Sequence, residues 1–173
     1  SLETRHSGTS ATYDEPTQTR EYFGLSTVVI GGGGHDVGAF GRKKESGKNV
    51  NIELRFTPFG GWLWELIQSP EPHIGGHYNT DENTNQLYVG GTWMFDLGWG
   101  LFAGGSLGFA LHDGETETDA LDRKELGLPV LFRESAEFGH WVDEHHGLSF
   151  HLDHISNASI AKNNEGLDSF SLR

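Results

Sequence analysis

The sequence predicts an all-β chain folded as an eight-stranded antiparallel transmembrane β-barrel. Three observations carry that prediction. Apolar side chains recur at every second position in about eight segments, the period of a pleated strand and not of a helix. Glycine is abundant at 25 of 173 residues and proline scarce at 5, which suits tight turns between extended segments. One face of the strands is continuously apolar or aromatic while the other is small or charged, as a wall between lipid and a polar interior requires.

Residues 1–20 are polar, unpatterned and rich in Ser and Thr, and read as a flexible leader ahead of a barrel over 21–173. A first strand is expected over 22–31. Gly31 to Gly34 have no following Lys-Ser/Thr and no helix, so they read as a flexible turn or a close backbone approach instead of a phosphate loop. In 49–56, Val50, Ile52, Leu54 and Phe56 alternate with Asn49, Asn51, Glu53 and Arg55. Residues 59–69 break the alternation with a short helical spacing that Pro70 ends, giving an interfacial helix, a lipid-dipping hairpin loop or a plain loop. Strands are then expected over 72–80, 86–97, 101–111, 127–140, 148–156 and 168–173. The clearest is 86–97, with Leu87, Val89, Trp93, Phe95 and Leu97 on one face and Tyr88, Thr92, Met94 and Asp96 on the other. The same pattern continues in 101–111 and in 148–156, where Leu148, Phe150 and Leu152 alternate with Ser149, His151 and Asp153.

The second face decides the class. Glu53, Arg55, Asp96, Arg133 and Glu137 belong inside, paired with one another, with the apolar face toward lipid. Trp62, Trp64, Trp93, Trp99 and Trp141 fall near strand ends or in loops, as an interfacial belt would. The alternatives are a β-sandwich with one buried face and a soluble lipid-binding barrel with an apolar lumen. A mean hydropathy of −0.48 does not oppose a membrane barrel, because alternation averages the two faces. No segment is apolar for the roughly 18 residues of a transmembrane helix. No signal peptide stands at Ser1, so an exported chain is met here in processed form. The formal charge of −13 repels phosphate backbones, which argues against nucleic acid as a partner. Without cysteine there is no disulfide, thiolate nucleophile or Cys-ligated zinc.

Chemistry concentrates in 153–168, DHISNASIAKNNEGLD. His154 and Ser156 are two apart, so on a strand both project from one face, by parity the face of Leu148, Phe150 and Leu152. A base and a hydroxyl on the lipid side need a reason, and catalysis on a lipid is one. A returning last strand would carry Asp168, Phe170 and Leu172 on that face, setting Asp168 across from His154. Ser156 would then attack, His154 take its proton and Asp168 hold the imidazole. Asn157 or backbone N–H groups of the 157–160 turn would face the oxyanion. Spacing alone leaves a second reading open, a hairpin whose Ser, Asn and Gly merely build the turn.

The run His154-Ile155-Ser156-Asn157-Ala158, followed by Asn164-Glu165-Gly166-Leu167-Asp168, resembles the active-site signature of the PagL-type lipid A 3-O-deacylases. Similar stretches include His35-Asp36-Val37, Thr92 to Leu97, His112 to Thr116 and Leu131 to Ser135, so the resemblance covers about Gly24 to Arg173. It implies an eight-stranded bacterial outer-membrane barrel that removes the 3-linked acyl chain of lipopolysaccharide lipid A. His154 and Ser156 would be base and nucleophile, Asp168 the orienting acid, and Asn157 and Asn164 the asparagines near the oxyanion, with no metal or cofactor. Two departures stand out. The chain ends at Ser171-Leu172-Arg173, so the last strand looks short and lacks a terminal aromatic residue, and the polar leader is long. They motivate an alternative, a non-catalytic accessory barrel in a larger outer-membrane complex; a homodimer is a further possibility. Glu165 is the alternative carboxylate, less suited by parity.

Two other clusters read as loops. His140, Asp143, Glu144, His145 and His146 lie at a turn, where the four-apart spacing useful on a helix has no value for a metal. The acidic run Asp113, Glu115, Glu117, Asp119 and Asp122 lacks the central Gly and terminal Glu of an EF-hand; a divalent ion bridging it to lipid phosphates is the sharper reading, a mobile loop the plainer one.

Overall fold

The computed structural model describes residues 23–38 and 43–173; the leader expected over 1–20 lies outside them. Eight antiparallel strands close into a barrel in chain order. They are β1 (Leu25–Gly34), β2 (Lys48–Phe56), β3 (Glu71–Asn79), β4 (Gln86–Gly98), β5 (Leu101–His112), β6 (Val130–Trp141), β7 (Gly147–Ser156) and β8 (Leu167–Leu172). Four connections, 35–47, 80–85, 113–129 and 157–166, gather at one end, the loop rim. The connections 57–70, 99–100 and 142–146 gather at the other, the turn rim. The eight-stranded antiparallel barrel expected from the sequence is the observed fold, and the closed wall excludes the sandwich alternative.

The alternation seen in the sequence sorts side chains to the two sides of that wall. Val28, Ile52, Leu87, Phe109, Phe138 and Phe150 face outward and are 50% to 59% exposed. Their alternate neighbours Asn51, Glu53, Arg55, Tyr88, Arg133, Ser149, His151 and Asp153 are buried inside. A water-soluble barrel has the opposite polarity, so the apolar-lumen alternative fails, and hydrocarbon is the solvent that suits this exterior.

Inside, three arginines balance three carboxylates. Arg55 bridges Glu53 at 2.6 Å and Glu137 at 2.5 Å, and Arg173 reaches Glu53 at 3.1 Å. Arg133 Nε lies 2.5 Å from Asp153 Oδ2, and its guanidinium covers the Tyr88 ring at 3.7 Å. The pairing expected of Glu53, Arg55, Arg133 and Glu137 is therefore present. Asp96 differs: it is exposed at the turn rim and accepts the Gly98 amide at 2.7 Å, because the chain is already turning there.

Residues 59–69 contain a five-residue helix, α1 (Trp62–Leu66), none of it buried. Gly61 precedes it at φ 113°, and Gln68 and Ser69, both at positive φ, end it before Pro70. Trp62, Leu63 and Leu66 project outward from the turn rim, where Trp99 and Trp141 also lie. Trp64 and Trp93 are tied to the same region through indole bonds to the Pro70 and Ile67 carbonyls, at 2.9 and 2.8 Å. The tryptophans thus form a girdle at one rim only.

The Gly31 to Gly34 run lies within β1 and not in a turn. Gly32, Gly33 and Gly34 pair with Leu172, Ser171 and Phe170. A side chain on Gly33 would overlap the Phe170 carbonyl, so close backbone approach is the correct reading of this run.

The loop rim is plugged. Tyr88, Ala110, Leu126, Leu131, Ile155 and Leu167 form a small apolar cluster under it, with Leu126 supplied by the 113–129 loop. Above them Glu45 accepts bonds from Thr84 Oγ1 at 3.0 Å and the Lys124 amide at 3.0 Å, and pairs with His35 at 2.8 Å. Burial alone would raise the Glu45 carboxyl, but the bonds from His35, Lys124 and Thr84 outweigh it and hold the group at about 2.

Candidate active site

The last hairpin carries the candidate residues on the outer wall near the loop rim. His154 on β7 stands directly opposite Asp168 on β8 in the ladder. Imidazole Nδ1 and carboxylate Oδ1 are 2.6 Å apart, the length of a charge-assisted hydrogen bond. With Nδ1–H donated to Asp168, Nε2 is left as an acceptor, the tautomer a general base needs. Both side chains remain partly accessible, at 42% and 27%. The pairing arises because β7 and β8 keep unbroken register from Phe150↔Leu172 to Ile155↔Leu167.

Ser156 is the last residue of β7, on the same face as His154, and pairs with Phe132 of β6. Two positions along a strand separate their Cα atoms by roughly 7 Å. Among the described residues the Ser156 hydroxyl makes no hydrogen bond to His154, whose Nδ1 is engaged by Asp168. Immediately beyond it the chain reverses through Asn157–Ile160, where the Ile160 amide donates to the Asn157 carbonyl at 3.0 Å. Ala158 and Ser159 take φ of 52° and 62°, so the turn is of the primed kind with non-glycine residues at both centres. Left-handed backbone there costs roughly 1–2 kcal/mol per residue.

The two asparagines occupy different places. Asn157 is buried, and its side-chain amide donates to the Leu126 carbonyl at 3.0 Å and the Asn163 carbonyl at 2.5 Å. Its backbone N–H donates to Asn164 Oδ1 at 2.9 Å. Asn164 Nδ2 has only a long 3.4 Å contact with Ser159 Oγ among the described residues. Glu165 accepts the Lys43 and Glu125 amides at 3.2 and 3.1 Å and so faces the loops. Of the two candidate acids, Asp168 is the one beside His154.

Residues 35–38, just after β1, complete the surroundings. The Val37 amide donates to the Asp168 carbonyl at 2.9 Å, and any side chain on Gly38 would overlap the Asp168 carboxylate. An open groove of about 470 Å³ is lined by Val37, Gly38, Ala136, Leu152, His154 and Asp168, together with Glu134. A separate cavity of about 500 Å³ opens at the turn rim beside Arg55, Glu137 and Arg173, remote from this wall. It is the mouth of the polar lumen and holds none of the candidate residues.

Sequence reasoning did not single out Gly38 or Glu134. Gly38 is distant in the chain and carries no local signal. Glu134 did carry one: it shares the parity of Phe132 and Phe138 and interrupts an apolar face. At the 140–146 turn, Asp143 Oδ1 accepts the His145 and His146 amides, both at 2.8 Å, and shapes the reversal. Among the described residues no group of three or more His, Asp or Glu is placed to hold a metal ion.

A family model described as lipid A 3-O-deacylase (PagL) matches residues 48–173. The fold is similar to one solved as the crystal structure of the outer membrane enzyme PagL, with a TM-score of 0.63 and 19% identity. That similarity covers 84% of this chain and 94% of that one. No curated protein matches the chain.

Proposed function

The chain belongs to the PagL family of lipid A 3-O-deacylases, and we propose that it hydrolyses the 3-linked ester of lipid A in the outer membrane with Ser156 as nucleophile, His154 as base and Asp168 as orienting acid. The observation that supports this reading best is the 2.6 Å His154–Asp168 bond on a wall otherwise facing lipid.

Ser156 Oγ attacks the ester carbonyl while His154 Nε2 accepts its proton. Asp168 keeps Nδ1–H in place and offsets the charge of the imidazolium that forms. The sugar 3-oxygen leaves with the proton returned by His154, and an acyl group stays on Ser156. Water activated by the same imidazole then releases the fatty acid and restores the hydroxyl. Asn164 Nδ2, nearly free of internal partners, is the donor we assign to the oxyanion, and Asn157 braces the loop that presents it. An outer-wall site suits a substrate that is itself a membrane lipid, because the ester reaches Ser156 by lateral diffusion.

The test is mass spectrometry of lipid A after incubation with the purified barrel in detergent, comparing wild type with Ser156→Ala. Loss of one 3-linked acyl chain with wild type alone is the expected result. Equal loss with Ser156→Ala would remove the nucleophile assignment. No loss with either folded protein would favour the accessory-subunit alternative.

A further inference from the structure

Resting on the Ser156–His154–Asp168 reading, we propose that Glu134 is a second carboxylate of this site, a positioning residue that stabilises His154 in its protonated state from the side opposite Asp168. The ladder places it there. Glu134 on β6 pairs directly with His154 on β7, which pairs directly with Asp168 on β8. The imidazole is therefore the middle member of a row of three outward-facing side chains, with a carboxylate on each flank. Directly opposed residues on neighbouring strands have Cβ atoms about 4.5–5.5 Å apart, within the range where an opposite charge favours the charged form of its neighbour.

Among the described residues Glu134 has no bonding partner to explain its position. It is exposed on the apolar wall, between Phe132 and Ala136, and lines the same groove as His154 and Asp168. Among the described strand residues, Glu134 and Asp168 are the only carboxylates on the outward face, all others pointing into the lumen or lying at the turn rim. No hydrogen bond or ion pair within the described chain engages the Glu134 carboxylate. A charge on a lipid-facing wall is unfavourable unless something there uses it.

The use follows from the chemistry. When Ser156 attacks, a positive charge develops on His154, and one partly exposed aspartate offsets it incompletely. A second negative group beside the ring lowers the energy of that charge distribution without occupying Nε2, which must stay free for Ser156. Among the described residues the other groups around the ring do not compete. Gly166 lies against the imidazole, and Val37 and Gly38 line the groove beside Asp168. In the flanking loops, Asp36 is held by Lys124 at 3.4 Å and the Glu45 amide at 2.9 Å, and Glu165 by the Lys43 and Glu125 amides.

The experiment is a pH–rate profile of the detergent-solubilised full chain on lipid A in mixed micelles, for wild type, Glu134→Gln, Glu134→Asp and Ser156→Ala. Folding of each variant is verified by heat-modifiable gel mobility. Glu134→Gln is expected to lower kcat about tenfold, with KM within about twofold. Its acid limb should move to lower pH, because the anion one rung from the imidazole is gone. Glu134→Asp should restore most of the rate and return the limb toward wild type. An acid limb coincident with wild type, or a loss confined to KM, would overturn the proposal in favour of a packing or substrate-contact role. Ser156→Ala separates the two claims: full activity there sinks the triad and Glu134's role with it. An inactive Ser156→Ala beside an unshifted Glu134→Gln profile sinks Glu134 alone.

Discussion

Replacing Arg133 by Met should strand Asp153 inside the barrel. Arg133 is almost completely buried, with Nε 2.5 Å from Asp153 Oδ2, Nη1 3.2 Å from Ser106 Oγ and its guanidinium 3.7 Å above the Tyr88 ring. Glu53, 3.9 Å away, would keep Arg55 at 2.6 Å and Arg173 at 3.1 Å. Among the described residues Asp153 would keep only the buried His77, 4.0 Å distant, beside it. Removing one member of a buried ion pair costs about 3–5 kcal/mol, chiefly because the other charge is left without compensation. Loss of the cation–π contact falls within that range instead of adding fully to it. We therefore expect about 4 kcal/mol, a large part of a typical total of roughly 5–15 kcal/mol. The assay is urea unfolding of the refolded barrel in detergent or lipid vesicles, followed by tryptophan fluorescence. The double variant Arg133→Met/Asp153→Asn removes the stranded charge and should recover about 2 kcal/mol of the loss. A single variant within about 1 kcal/mol of wild type, or a double variant no more stable than the single, would refute the account of the lumen as a charge-balanced network.

Asp168→Asn should reduce deacylation by about 10²–10³-fold with the barrel still folded, less than for a fully buried triad acid because this pair is partly solvated; an unchanged rate would rule out the orienting role. Gly38→Val should lower turnover at least about tenfold by pushing on the Asp168 carboxylate, while gel mobility stays that of the folded barrel. The Glu45 carboxyl, held at about 2 against an ordinary 4.5, contributes stability that is full above about pH 4.5 and is lost as pH falls toward 2. On the order of 3 kcal/mol of loop-rim stability is at stake. Hydrogen-exchange protection of the Thr84 and Lys124 amides, which donate to Glu45, should fall across that window in wild type and show no such step in Glu45→Gln. Protection independent of pH in the wild type would count against it.

The strand framework was legible because alternation is a local signal. Val50 to Phe56 and Leu148 to Leu152 show their two faces within a few residues, and both segments fold as read. The parity argument carried into the site as well. It set His154, Ser156 and Asp168 on one outward face before any pairing was known, and the register places His154 against Asp168. Where the reading departs from the structure, the missing information is non-local. For Gly31 to Gly34 a turn and a close backbone approach stayed equally open, because nothing nearby says that Phe170 and Ser171 will press against them. Asp96 had the parity of the lumen but sits where the wall ends, and strand length is not set by alternation.

The sequence by itself determined the polarity of the wall, the approximate strands and the identity of the residues that can do ester chemistry, since each depends on residue type and spacing along one segment. Only the tertiary structure decided which groups meet. Closure of the barrel brings Arg133 from β6 to Glu53 of β2, as it brings Glu45 of the first loop to Lys124 of the third. It also sets Glu134 beside His154, because two residues twenty positions apart share a rung only when the β6–β7 hairpin takes one register among several. Separation along the chain carries no such information. Ladder register and ring closure, both cooperative properties of all eight strands, are what turn a histidine with a plausible spacing into one bonded to Asp168 and sharing a rung with Glu134 on a lipid-facing wall.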